Sequence, residues 1–153
     1  MLDITILTIG KVREKFFISA CDNYLKRLKP YARIKIEELK SEAFSSATKN
    51  KAKIEEAKKL QAYLNKKNDA TIFVLAEKGI EMDSLAFAEN LKNINGPIIF
   101  VIGGALGFTP EFFAAYKKMS LSKLTFPHEM ARVILLEQLY RASTIINNKE
   151  YHY

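Results

Sequence analysis

The chain has 153 residues, 48% of them apolar and 27% charged, with 24 Lys and Arg against 17 Asp and Glu for a net charge of +7. That is the length of one ordinary domain and the composition of a globular chain, and the sign favours an anionic partner such as nucleic acid. One cysteine, Cys21, excludes an internal disulfide framework, and with only two histidines beside it a Cys/His zinc site is not expected, so no metal is predicted. The longest near-apolar run, 98–108, is too short for a bilayer and is broken by Gly103, Gly104 and Gly107, so no membrane association is expected. Met1-Leu2-Asp3-Ile4 carries no basic leader before an apolar stretch, which makes a cytoplasmic protein the expectation.

Leu2, Ile4 and Ile6 alternate with Asp3 and Thr5 and predict a first strand ending at Gly10. Phe16, Phe17, Ala20, Cys21, Tyr24 and Leu28 fall at helical spacing over 13–28, and Pro30 stops that helix. Ala32, Ile34 and Ile36 alternate with charged residues in a second strand, and the small polar stretch 41–48 reads as a loop. A basic amphipathic helix over 49–67 is predicted to turn Ile54, Ala57, Leu60, Tyr63 and Leu64 inward. The continuous apolar run 71–77 predicts a strand buried on both faces, with a turn at Lys78-Gly79. Asp83 or Ser84 caps a helix to Leu91, Asn95-Gly96-Pro97 turns the chain, and 98–102 is another buried strand. A helix over 109–119, a short run 121–126 and a long helix 128–146 complete the pattern before the tail 147–153. Strands alternating with helices predict an α/β fold with a largely parallel sheet flanked by helices.

The charge is uneven: residues 1–68 carry +8 and residues 69–153 carry −1. Solvated lysine-rich helix faces and an RNA-binding surface both account for it.

The stretch Phe100-Val-Ile-Gly-Gly-Ala-Leu-Gly-Phe-Thr-Pro-Glu111 runs a buried strand into a glycine turn and then a helix, with Thr109 at the N-cap and Pro110 at the first helical position. Its G-G-x-x-G spacing and late position do not fit a dinucleotide fingerprint, and no Lys-Ser/Thr follows to make a P-loop. Glu111 would compete with a phosphate for the helix start, so an uncharged or cationic ligand fits better than a triphosphate. A tight turn with no ligand is the other reading of the glycines. Cys21 lies on the apolar face of its helix and reads as core.

The glycine turn, the block Leu121-Ser-Lys-Leu-Thr-Phe-Pro-His-Glu-Met-Ala-Arg132-Val, the run Glu137-Gln-Leu-Tyr-Arg141-Ala and the ending Tyr151-His-Tyr153 together resemble the RlmH family, small SPOUT-class rRNA methyltransferases. The opening Ile6-Leu-Thr-Ile-Gly-Lys11 extends the resemblance over the whole chain. It implies one SPOUT domain over 1–153 with a deep trefoil knot in its C-terminal part, a homodimer, and S-adenosylmethionine (SAM) as methyl donor. The implied reaction is methylation of N3 of a pseudouridine in a 23S rRNA stem-loop of the assembled ribosome. The implied SAM site takes Leu75, Gly103 and Leu121, Ser122, Lys123, Leu124, Thr125 and Phe126. Backbone groups there would meet an adenine edge and apolar side chains its faces, where core packing is the plain alternative for the leucines.

In the family the C-terminal tail helps complete the active site across the dimer, which makes His152, Tyr151 and Arg132 the catalytic candidates. His128, Arg141 and Tyr153 are candidates for RNA contact or for the dimer tail. His128 either lines the pocket or caps and packs, and Arg141 either serves the tail or pairs with Glu137 at i,i+4. Arg132 and Arg141 are two and a half helical turns apart and point to opposite sides. The family often places a basic residue after the tail histidine, where this chain has Tyr153. Methylation of a ring nitrogen needs loss of its proton and in-line placement but no covalent adduct. A non-catalytic ribosome-binding module and an unrelated nucleotide-binding enzyme are the alternatives.

Overall fold

The computed structural model describes residues 1–153. Five strands, β1 Leu2–Ile9, β2 Ala32–Leu39, β3 Thr71–Glu81, β4 Ile98–Ile102 and β5 Lys117–Ser120, form one sheet in the order β2-β1-β4-β3-β5 with every pair parallel. The helices are α1 Lys15–Leu28, α2 Lys49–Leu64, α3 Ser84–Lys92, α4 Pro110–Ala115 and α5 His128–Ile146. None of them is long and apolar enough to cross a membrane.

Side-chain alternation divides the core in two. Ile4, Ile6, Phe73, Leu75, Phe100 and Ile102 face α1, α3 and α5, where Cys21, Leu28, Phe87, Leu91, Leu135, Leu136 and Leu139 meet them. Leu7, Ile9, Val74, Ile99 and Val101 face α2 and α4 through Leu60, Leu64 and Phe112. The leftward crossovers, α1 and α3, lie on one face and the rightward crossovers, α2 and α4, on the other, so all four have the same hand, as the handedness rule for parallel units requires. Cys21 is buried, and burial raises its thiol pKa, as a core residue requires. The Asp83 carboxylate caps α3, accepting from the Ala86 amide at 2.7 Å, and the Thr109 hydroxyl caps α4, accepting from the Phe112 amide at 3.2 Å.

Three expectations are corrected. The helix over 109–119 ends at Ala115, and Lys117–Ser120 is an edge strand. Met119 pairs with Leu75 and is buried in the core, so sheet pairing overrides the local pattern. Lys78-Gly79 does not end β3, which resumes pairing with β5 at Ile80 and Glu81 after an irregularity. A Cβ on Gly79 would lie 2.5 Å from the Met119 carbonyl carbon, so only glycine allows that approach. Ile54 is not inward but 48% exposed. The buried ridge of α2 is Ala52, Glu56, Leu60 and Leu64, a row at i, i+4 spacing that takes in a carboxylate.

Candidate functional site

Parallel strands put every strand-to-helix loop at one edge of the sheet, the usual ligand-binding edge. Here the ends of β3, β4 and β5 enclose a cavity of about 790 Å³. One wall is the glycine turn. The Gly107 amide donates to the Gly104 carbonyl at 3.1 Å, and Gly107 has φ +71°, which favours glycine. A Cβ on Gly103 would lie 2.9 Å from the Phe108 ring, which stacks on Phe112 with centroids 5.4 Å apart. Phe108 therefore backs the turn and also lines the cavity.

The opposite wall is the loop from β5 to α5. The Ser120 hydroxyl donates to the Ser122 carbonyl at 2.8 Å, and the Leu124 amide donates to the Ser122 hydroxyl at 3.1 Å, which folds the loop on itself. Leu75, Gly103, Leu121, Ser122, Leu124, Thr125 and Phe126 all line the cavity; the exposed Lys123 does not. Sequence reasoning missed Glu77 and Lys78, which also line it. Two charged residues closing an apolar parallel strand were the available signal. Glu77's own backbone amide and the Thr125 hydroxyl hold its carboxyl below the usual carboxylate range, so the wall carries a negative charge at neutral pH. Apolar walls, with the Glu77 carboxylate and the Lys78 side chain next to one another, suit a planar ligand that also carries polar groups.

His128 lines the cavity, while Pro127 occupies the N-cap of α5. One turn on, Arg132 is buried and does not reach the cavity lining. It donates to Glu38 Oε2 at 2.8 Å, Thr8 Oγ1 at 3.0 Å and the Gly10 carbonyl at 3.4 Å, tying α5 to the ends of β1 and β2.

The tail residues gather at the far end of α5. Thirteen positions of helix separate Arg141 from His128, about 20 Å. Arg141 donates from Nε and Nη2 to Glu137 Oε1 at 3.1 and 2.7 Å, so the i,i+4 pair is formed. Its guanidinium also lies 4.8 Å from the Tyr151 ring centroid and its Nη1 is 3.3 Å from His152 Nδ1. The Tyr151 hydroxyl donates to Glu137 Oε1 at 3.3 Å, and its ring meets Tyr140 edge-on at 4.7 Å. Burial, with the Tyr24 hydroxyl and the Glu137 carboxylate close by, pushes the Tyr151 phenol up to about 12. Tyr153 is fully exposed. The chain thus holds the cavity-lining residues at one end of α5 and the tail candidates at the other. No group of His, Cys, Asp and Glu side chains is placed to hold a metal ion.

Known proteins share this fold. A probable methylase family protein from Haemophilus influenzae superposes with a TM-score of 0.61 at 15% identity, over 98% of this chain and 70% of that one. A Legionella pneumophila methyltransferase, solved with bound cofactor SAM, gives 0.53 at 13% identity, over 92% of this chain and 66% of that one. These likenesses are of fold alone. The family model described as "Predicted SPOUT methyltransferase" matches residues 2–152. Ribosomal RNA large subunit methyltransferase H of Kosmotoga olearia is 40% identical over 99% of this chain and 100% of its own length. The protein of that name from Phocaeicola vulgatus is 39% identical over 99% of both. The chain belongs to the methyltransferase H (RlmH) family of SPOUT methyltransferases.

Proposed function

We propose that this protein is a SAM-dependent methyltransferase of large-subunit rRNA that methylates N3 of a pseudouridine, acting in the cytoplasm as a homodimer. On this reading residues 1–153 are one SPOUT domain, and the segment from β4 to α5 is threaded as a deep knot. The observation that carries it is the cavity at the ends of β3, β4 and β5, which gathers seven of the eight expected cofactor residues. Its volume, about 790 Å³, falls within the range of roughly 300–1,000 Å³ for small-molecule sites.

The residues present fit SAM. Leu75, Leu121, Leu124 and Phe126 line the cavity and would enclose an adenine, and the glycine turn would let backbone amides come close. The Glu77 carboxylate would face a cationic part of the ligand. When bound, SAM supplies an electrophilic methyl group. The chain has to exclude water, hold N3 in line and accept or pass on its proton. His128 lines the cavity, which supports it as a group that would take that proton. Tyr151 and His152, some 20 Å away along α5, would reach the reacting base only at the partner's cavity.

Purified protein and SAM, given to assembled ribosomes from a strain lacking the gene, should restore one methyl group on a pseudouridine of the large subunit, read by mass spectrometry of rRNA digests. Binding to the subunit without any methyl gain would leave the non-catalytic module instead.

A further inference from the structure

The loop joining β1 to α1, with the first two residues of the helix, reads Gly10-Lys-Val-Arg-Glu-Lys-Phe16. Lys11, Arg13 and Lys15 are exposed, and none of them takes part in an ion pair. Phe16 is 64% exposed, its ring tilted against Phe17 at 4.5 Å. Three free cations beside an uncovered aromatic ring match the chemistry of a nucleic-acid segment, with phosphates for the cations and an unstacked base for the ring.

The loop is fixed beside the cavity by the first turn of α5. Glu129 Oε1 accepts the amides of both Arg13 and Glu14. Arg132 donates to the Gly10 carbonyl at 3.4 Å, and a Cβ on Gly10 would sit 3.9 Å from His128 Nε2. The same turn of helix therefore presents His128 to the cavity and holds the cationic loop. A loop fixed in this way loses little freedom when it binds. The lysines of α2 differ in part, because Lys58 pairs with Glu55 and Lys59 with Glu42.

We propose that Lys11, Arg13, Lys15 and Phe16 form the RNA-gripping surface of the site, holding the backbone and one unstacked base of a single-stranded or loop segment next to the cavity. This rests on the methyltransferase reading.

The test uses the full-length protein, with purified large ribosomal subunits as the probe for binding and calorimetry for SAM. The triple variant Lys11→Ala/Arg13→Ala/Lys15→Ala should bind subunits about tenfold or more weakly, with the slope of log affinity against log salt shallower by about 2. Phe16→Ala alone should lose about tenfold. SAM affinity and the solution mass should stay at the wild-type values in both. The matching triple on α2, Lys49→Ala/Lys51→Ala/Lys53→Ala, should do less. Unchanged subunit affinity in the loop variants, a larger loss in the α2 triple, or Phe16→Ala falling apart into monomers would each overturn the proposal. If the wild type binds subunits without methylating them and the loop variants lose that binding, the reaction reading fails and this surface stands. If the wild type methylates and the loop variants bind normally, this surface alone fails.

Discussion

The two ends of α5 are built in different ways. At the N-terminal end, His128, Glu129 and Arg132 reach outward to other elements: the cavity, the loop after β1, and the ends of β1 and β2. At the C-terminal end, Glu137, Arg141, Tyr151 and His152 satisfy one another. A rigid helix keeps the two groups about 20 Å apart, so folding one chain cannot join them. A two-fold dimer can, because it sets the same patch of each copy against the other and yields two composite sites.

The largest expected effect comes from separating the ends genetically. Gly103→Val drives a side chain into Phe108 and should weaken SAM binding by about a hundredfold, the upper end of the ~1–3 kcal/mol overpacking range. A chain lacking Tyr151–Tyr153 should bind SAM normally and methylate nothing. Mixed and allowed to exchange, the two inactive proteins should recover about a quarter of wild-type methylation, since half the dimers then hold one intact composite site. If no activity returns although exchange is shown by mass, the tail does not act on the partner.

The two ends were not equally legible in the sequence. The i,i+4 spacing of Glu137 and Arg141 offered their pair as one of two readings, and the strand–glycine–helix pattern announced the turn at Gly103. The other cavity wall was not legible from pattern alone: Leu121 to Phe126 has no periodicity, and only the family resemblance placed it. β5 was hidden because two of its four residues are lysines and its pairing with β3 is remote in sequence. The inward phase of α2 was misread because Glu56 is a carboxylate on the buried ridge. Its Oε2 accepts the Glu42 amide at 3.0 Å, and its Oε1 has no partner, 3.6 Å from where a Cβ on Gly104 would lie. A polar residue that closes a loop breaks hydrophobic periodicity without breaking the helix.

A smaller effect sharpens the contrast at the cavity end. Arg132→Met should lower unfolding free energy by about 2 kcal/mol, because the Thr8 hydroxyl and the Gly10 carbonyl lose a donor while Glu38 stays in contact with water. Arg132→Lys should recover only part of this, since an ammonium cannot span three acceptors as the guanidinium fork does. Urea denaturation checks both. Equal stability of Met and wild type would mean that this anchor contributes nothing to holding α5.

The smallest effects should appear at opposite ends of the pH scale. Glu77 and Glu129 have carboxyls held below their ordinary range, the first by its own amide and Thr125, the second by the Arg13 and Glu14 amides. A lowered folded pKa contributes stability that is complete above the ordinary carboxylate value and disappears as pH falls through the lowered one. Acid should therefore loosen the cavity end first. Tyr151 is the opposite case, because its phenol is pushed up to about 12. A raised folded pKa contributes stability that is complete below the ordinary tyrosine value and is lost as pH rises toward the raised one. Alkali should therefore loosen the tail. Ultraviolet titration of tyrosinate should show Tyr63, whose phenol burial also raises, and Tyr151 ionising after the others, and Tyr151→Phe should remove the last step while leaving SAM binding unchanged. Survival of that last step in Tyr151→Phe would assign the buried phenol to another residue and take away the tail's distinct response.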